Sequence, residues 1–441
     1  MRALRLKNAP SIEAIARSLS PRGRFWLDGL AAHPEGRWAF LGADPVEVRS
    51  ASFGELALEP FDALGEASLS LEGNAIELEP ASIPHWVGYI AYDAAWSRGA
   101  TLGLRGVPRH PRGALPVVWL GRYERLLAID LARSETFVLA PSEDDCRALA
   151  RELGVSRPEP LARVGPIEGE DRALHRSAIE HALDAIAAGD IYQVNLARRW
   201  RASFEGDPLA LWLAMRSASP VPLGFSLELA DHAVLARTME RFLRWERASG
   251  QLWTSPIKGT IARAGDDAAE AEQLRADAKE HAEHAMIVDL MRNDLSRVAE
   301  VGTVRVESAL RVEPFAGLSH LVSTVSCRSA PGAGARAILE ATFPPGSITG
   351  APKIAAMELI EREERSARGV YTGAVGYVDR AGGLSLAVAI RTAIVEGAEV
   401  SYFAGGGLVA ASDPDREIAE TELKAEVFFE ACAALARKNE D

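Results

Sequence analysis

The sequence predicts a water-soluble chain that mixes strands and helices, and three observations carry that expectation. Its first third alternates short β-rich runs with turn residues and shows few helical patterns. From residue 171 onward, amphipathic helical spacing joins the strands. The chain then finishes on a long helical pattern whose acidic residues fall into register with an apolar stripe. At 441 residues, with 48% hydrophobic and 25% charged, it is long enough for one large or two ordinary domains with a real core. A net charge of −13 argues against a nucleic-acid or anionic-membrane partner; a small anionic substrate stays open, because it meets only the local field. Cys146, Cys327 and Cys432 are odd in number and widely spaced, without disulfide or zinc spacing, which suits a reducing cytoplasm. No apolar run is long enough to span a bilayer, and the first eight residues lack the apolar core of a signal peptide.

In the first part, residues 1–165, the runs 38–42, 117–120, 125–131 and 136–139 read as strands. Residues 84–93 mix aromatic and small residues and read as a packed β element with close backbone approach at Gly88. Segments 141–147 and 156–170, rich in Pro, Gly and acids, read as a linker into a second part at 171–437.

That second part opens on a helix over 172–188, with Ile179, Leu183 and Ile186 at helical spacing and Gly189 closing it. Residues 191–197 alternate as a strand, so Gln193 and Asn195 share one face, either solvated or lining a pocket. Glu240 lies at a strand-to-turn position. Lys258, held between Pro256 and Gly259, is either a solvated turn lysine or a nucleophile, the latter if desolvation and neighbouring cations lower its pKa from ~10.4. In a helical run over 279–290, Glu280 and Glu283 share a face with Ile287 and Leu290; residues 292–297 end it. His320 sits in a strand-like run, where a lone histidine is usually a core residue. The loop 343–353 places Pro352 at the start of another helix and is either a tight turn or an anion cradle of backbone N–H groups and two hydroxyls. Strands follow over 369–377 and 384–394, the latter carrying Arg391 in an apolar run, where it requires a carboxylate from protein or substrate. A strand over 400–404 runs into Gly405, Gly406 and Gly407, which let a ligand approach the backbone. Asp413 as N-cap and Pro414 at the first helical position then start a helix reaching about residue 437. Glu417 and Glu420 continue its apolar stripe, whereas Glu422, Glu426 and Glu430 form a solvated face. The two Glu-x-x-Glu pairs either lie on helices that never meet or converge as four carboxylates around Mg²⁺.

Across 256–260, 279–297, 346–353, 369–377, 387–392 and 405–425, in that order, the second part resembles the chorismate-utilising enzymes. The resemblance implies an α+β fold: a large sandwich of two antiparallel sheets flanked by helices, with the active site between the sheets. It implies Mg²⁺ held by Glu283 and Glu420, with Glu280 and Glu417 in support. Tyr371, Arg391 and the Gly405–Gly406 backbone would bind the enolpyruvyl carboxylate, and Ser347 and Lys424 would border the ring carboxylate and the metal. His320 would line the ring pocket, and Glu240 would protonate the departing C4 hydroxyl. The Pro-Ile-Lys-Gly-Thr setting of Lys258 resembles the branch that forms 4-amino-4-deoxychorismate for p-aminobenzoate and folate; anthranilate-forming relatives carry alanine there. Water-using relatives carry a basic lysine at the position of Gln193, which is no such base. Thr238-Met239 replaces a Ser-Pro found before the acid in relatives, and residues 25–29 depart from a Leu-Leu-Glu-Ser type motif that accompanies tryptophan binding. No cysteine lies on a Gly-rich nucleophile turn, so ammonia is expected from a separate glutamine amidotransferase subunit, with free ammonium able to substitute, and no lyase is fused at the end. The rival readings are an anthranilate synthase component I and a non-catalytic paralogue that binds chorismate or the amidotransferase.

Overall fold

A computed structural model describes residues 1–438 apart from 63, 65–66, 68, 74–75, 80–81, 99–101, 106–107, 154, 156, 263–277 and 316–317, with the backbone alone at 34, 259–262, 278–282, 314–315 and 318–319. Two large sheets face one another. Among the described residues the larger has fourteen strands, and its middle runs Gln193–Gly206, Glu399–Leu408, Thr392–Glu396, His232–Thr238, Leu223–Glu228, Arg24–Asp28 and Trp38–Gly42 as successive antiparallel neighbours. The smaller has ten: nine run Ile257–Ala262, Leu318–Arg328, Gln251–Ser255, Arg241–Glu246, Leu384–Val388, Ala374–Asp379, Pro84–Ile90, Val118–Arg122 and Glu47–Ala51, and the tenth, Arg305–Phe315, also pairs with Leu318–Arg328. Both sheets take strands from both ends of the chain.

The central strands of the larger sheet are covered on both faces, so they read as near-continuous apolar runs rather than polar–apolar alternations. In Arg24–Asp28 every residue is buried: Phe25 and Leu27 enter the core between the sheets, while Trp26 points the other way, onto Trp212 of the helix layer. Pro84–Ile90 shows how closely the backbones pack, since a Cβ on Gly88 would stand 1.8 Å from the Trp119 carbonyl oxygen.

The helices begin and end where their caps dictate. Asp171 accepts from the Ala173 N–H at the start of Arg172–Ala188, and Gly189 closes it at φ +81°. Asp413 accepts from the Arg416 N–H ahead of Pro414–Lys438. Part of the expected linker is a helix, Glu143–Glu152, because Ser142 caps the Asp145 N–H and Cys146 and Leu149 bury themselves. Beyond it, Ala162–Val164 and Glu168–Gly169 add to the strand Gln193–Gly206. No helix among the described residues is long and apolar enough to cross a membrane.

The chain twice leaves one sheet for the other at a residue of interest. It passes from His232–Thr238 in the larger sheet to Arg241–Glu246 in the smaller through Met239 and Glu240. It returns from Leu384–Val388 to Thr392–Glu396 through Arg391, so the stretch read as one strand over 384–394 is two. Arg391 takes φ +52° at that switch, a left-handed turn that local alternation does not announce. The two crossings are tied together: the Val388 N–H donates to the Glu240 carbonyl, and the Arg237 N–H to the Arg391 carbonyl.

Candidate active site

The site is built on two neighbouring strands of the larger sheet. Asn195 pairs with Gly407, Leu196 with Gly406 and Ala197 with Gly405. A Cβ on Gly407 would stand 2.6 Å from Glu283 Oε1, 2.9 Å from Gln193 Nε2 and 3.0 Å from Lys258 Nζ, so the missing side chain is what lets those three meet. Lys258 Nζ donates to Glu283 Oε1 at 2.6 Å, and Gln193 Nε2 donates to the same oxygen at 3.2 Å. Because the carboxylate can only accept, the Gln193 amide is fixed with its Oε1 pointing elsewhere; that oxygen and Asn195 Oδ1 are buried without a hydrogen-bond partner among the described residues.

Burial works against the charge on Lys258, but the Glu283 carboxylate, with Glu240 and Glu420 adding to it, outweighs that penalty and holds the ammonium above its ordinary pKa. The direction is opposite to that expected of a lysine among cations. Its neighbours are carboxylates, and one arrives from a helix 25 positions along the chain.

Glu240 is 6% exposed, and burial pushes its carboxyl up to about 7 against the Ser347 hydroxyl bond, the charges of Lys258 and Lys424 and the Ile257 backbone bond, which pull it down. Ser347 sits in the one-turn helix Gly346–Ile348. Thr349, the second hydroxyl of that loop, is spent on the Pro345 and Gly346 carbonyls. Lys353 anchors the loop's far end on Asp294 at 2.6 Å.

On the last helix Glu417 is 3% exposed, with Oε2 3.0 Å from where a Gly406 Cβ would be. Glu420, expected on the same stripe, is 48% exposed at its side chain and pairs with Lys424 at 2.6 Å. Lys424 also donates to the Gly405 carbonyl at 2.9 Å. Arg391 is half-buried and gives Nη1 to the Lys424 carbonyl at 3.3 Å; among the described residues no carboxylate lies within ion-pair distance of it. Tyr371 stacks on Phe403 with ring centroids 5.0 Å apart, beside Ala197 and Ile390. His320 is buried on the strand next to Lys258, where Leu321 is the Lys258 partner and Thr260 pairs with His320. Glu280 lies on the helix Ala278–Ser296, but its side chain falls outside the described residues.

Residues 24–430 match the family model described as chorismate binding enzyme. The chain belongs to that family. An aminodeoxychorismate synthase of Streptomyces griseus is 39% identical over 322 residues, covering 68% of this chain and 44% of the relative. An anthranilate synthase component 1 of Aquifex aeolicus is also 39% identical, over 266 residues, covering 60% of this chain and 53% of the relative. The chain thus spans about half the length of these curated relatives. Among solved structures, anthranilate synthase component I from Streptococcus pneumoniae TIGR4 superposes with a TM-score of 0.76 at 28% identity, over 90% of this chain and 93% of that one. The family resemblance and the α+β sandwich expected from it are both borne out.

A chorismate binding enzyme with this donor set suits a hard divalent cation. Glu283 and Glu417 bring carboxylates from two helices to consecutive glycines, and Glu283 and Glu420 both act on the charge of Lys258. Oxygen-only donors of this kind fit Mg²⁺. Among the described residues no three His, Cys, Asp or Glu side chains close on one point, and Lys258 and Lys424 are paired with Glu283 and Glu420.

Sequence reasoning passed over three participants. Gly407 was legible only as part of a glycine run. Arg368 and Glu364, a buried pair behind Tyr371, carry only the i,i+4 spacing common to exposed helical ion pairs.

Proposed function

We propose that the chain converts chorismate and ammonia into 4-amino-4-deoxychorismate, with Mg²⁺, as the chorismate-utilising component of an aminodeoxychorismate synthase on the route to p-aminobenzoate and folate. The observation that carries the reading is Lys258, its side chain 13% exposed, gathered with Glu283 and Gln193 over Gly407 and electrostatically coupled to Glu240. In this reading the Lys258 ammonium first passes a proton to Glu283, to which it is hydrogen-bonded; the neutral amine then forms a bond to C2 of chorismate, the ring double bonds shift, and the C4 hydroxyl leaves as water with a proton from Glu240. Ammonia then forms the new C–N bond and the bond to Lys258 breaks. A carboxyl held near pH 7 suits an acid that must keep its proton in a neutral solution.

Arg391, with no carboxylate within ion-pair distance among the described residues, is offered to the enolpyruvyl carboxylate together with Tyr371 and the Gly405–Gly406 backbone. Ser347 and Lys424 border the ring carboxylate, and His320 lines the ring pocket. Mg²⁺ held by Glu283 and Glu420, with Glu417 and Glu280 in support, would supply positive charge for the ring carboxylate and compete with Lys258 for Glu283. Gln193 has no basic atom to activate water, which favours ammonia as the incoming group. Ammonia would come from a separate glutamine amidotransferase subunit, in keeping with the component naming of the Aquifex relative, and the reaction would run in the cytoplasm.

The second reading, anthranilate synthase component I, is favoured by a relative of equal identity and by the superposed structure. Purified chain with chorismate, Mg²⁺ and ammonium separates the two by mass. An aminated product without pyruvate release is expected; anthranilate plus pyruvate overturns the proposal.

A further inference from the structure

We propose that Arg368 is a positioning residue that holds three segments of the site in one rigid frame; the inference rests on the site assignment above. Arg368 is 2% exposed, and all five of its N–H groups have an acceptor. Nε donates to Glu364 Oε2 at 2.9 Å. Nη1 donates to the Ile348 carbonyl at 2.9 Å and to Thr372 Oγ1 at 3.2 Å. Nη2 donates to the Asn195 carbonyl at 2.7 Å and to Glu364 Oε1 at 2.6 Å. The guanidinium lies 4.9 Å from the centroid of the Tyr92 ring and 5.8 Å from that of Tyr371.

The targets of those bonds decide the role. Ile348 follows Ser347, Thr372 follows Tyr371, and Asn195 is two residues from Gln193 on the same strand face. One planar fork therefore fixes the ring-carboxylate loop, the enolpyruvyl-side loop and the strand beneath the cleft relative to each other. Glu364 extends the frame, because its Oε1 also accepts from the Ala197 N–H at 2.9 Å, opposite Gly405. The first part of the chain closes it from behind: Asp93 Oδ2 accepts from the Gly369 N–H at 3.1 Å. A lysine keeps the charge but has three tetrahedral donors, which cannot reproduce a five-bond fork.

The test uses the full chain in three forms: wild type, Arg368→Lys, and Arg24→Lys as a control that breaks an equally buried pair in the strand Arg24–Asp28, where Arg24 meets Glu228 at 2.6 Å. Melting temperature, chorismate binding by calorimetry with Mg²⁺ and no ammonium, and steady-state kinetics are read on each. Arg368→Lys is expected to lower kcat/KM roughly 100-fold, the cost of misplacing substrate contacts by about an ångström, and to weaken chorismate binding. Arg24→Lys is expected to melt earlier and bind as wild type. Equal binding by wild type and Arg368→Lys overturns the inference and leaves the site assignment standing. Parallel losses of affinity in both variants, in step with melting, also overturn it. Wild type that binds no chorismate removes the site assignment itself, and the inference with it. Should Arg368→Lys not fold, Glu364→Gln, which keeps the shape and removes the charge, is read by the same criteria.

Discussion

Lys258 Nζ donates to Glu283 Oε1 across 2.6 Å, joining the edge strand Ile257–Ala262 of the smaller sheet to the helix Ala278–Ser296. Each partner is the other's means of carrying a charge out of water. Lys258→Ala therefore strands the Glu283 carboxylate. A loss of roughly 3 kcal/mol, typical of removing one member of a buried pair, is expected as an earlier thermal melt. Added Mg²⁺ should recover part of it. The same variant should abolish any chorismate-derived mass adduct at position 258, and an adduct surviving elsewhere rejects the nucleophile assignment.

Glu240 must be protonated to act as an acid, and burial places its pKa at about 7. Turnover is accordingly expected to hold below pH 7 and to fall as the pH rises through that value. Glu240→Gln should remove this limb of the pH profile and cost roughly 10²- to 10⁴-fold in kcat. A limb that persists in the variant assigns the acid to another group.

Chelation of divalent cations should stop turnover, and Mg²⁺ should restore it. Glu283→Gln and Glu417→Gln should each weaken Mg²⁺ binding at least about tenfold in calorimetric titrations with chorismate present, since each removes a hard anionic oxygen. Unchanged affinity in Glu417→Gln would show that the buried carboxylate at Gly406 serves packing alone.

The atoms nearest a methyl group on Gly407 would be the far ends of Glu283, Gln193 and Lys258, whereas one on Gly88 would meet the Trp119 backbone. Gly407→Ala is thus expected to melt close to wild type while losing most of its turnover. Gly88→Ala should lose stability instead. Differential scanning and initial rates on the pair distinguish a site glycine from a packing glycine.

His85 and His175 are held neutral. Burial, with Arg380 and Arg122 near the first and Arg198 near the second, lowers both to about 4 from an ordinary 6.5. The unfolded chain takes up their protons first. Their contribution to stability is therefore intact above pH 6.5 and is lost as the pH falls from there toward 4. The melting temperature should drop over that window, and less steeply in His175→Gln, whose side chain has nothing to protonate.

Much of this was legible in the sequence, and the exceptions share a cause. Caps and breakers act within a turn of chain, so Asp171, Gly189 and Asp413–Pro414 announced their helices. Ser142 offered the same signal but was submerged in an acid-rich stretch that read as linker. The switch at Arg391 was hidden because the strands on either side of it are both apolar, so the run reads as one across the change of sheet. On the last helix both Glu417 and Glu420 lie near the apolar stripe, and only the neighbouring strand decides that one is covered and the other half in water. The charge on Lys258 depends on Glu283, and the role of Arg368 on carbonyls from three separate segments, so neither is written in local spacing.

The two crossings between sheets carry a mechanical corollary. Glu240 and Arg391 sit where the backbone itself bridges the gap, and each crossing is hydrogen-bonded to the strand beside the other. Spreading the layers would drag the Glu240 carboxyl and the Arg391 guanidinium along together, whereas a side chain mounted on one layer alone would be left behind. The separation between Glu240 and Arg391 is thereby held by those two backbone hydrogen bonds, and substitutions that swell or shrink the hydrophobic filling should move Lys258 and Lys424 against that fixed ruler.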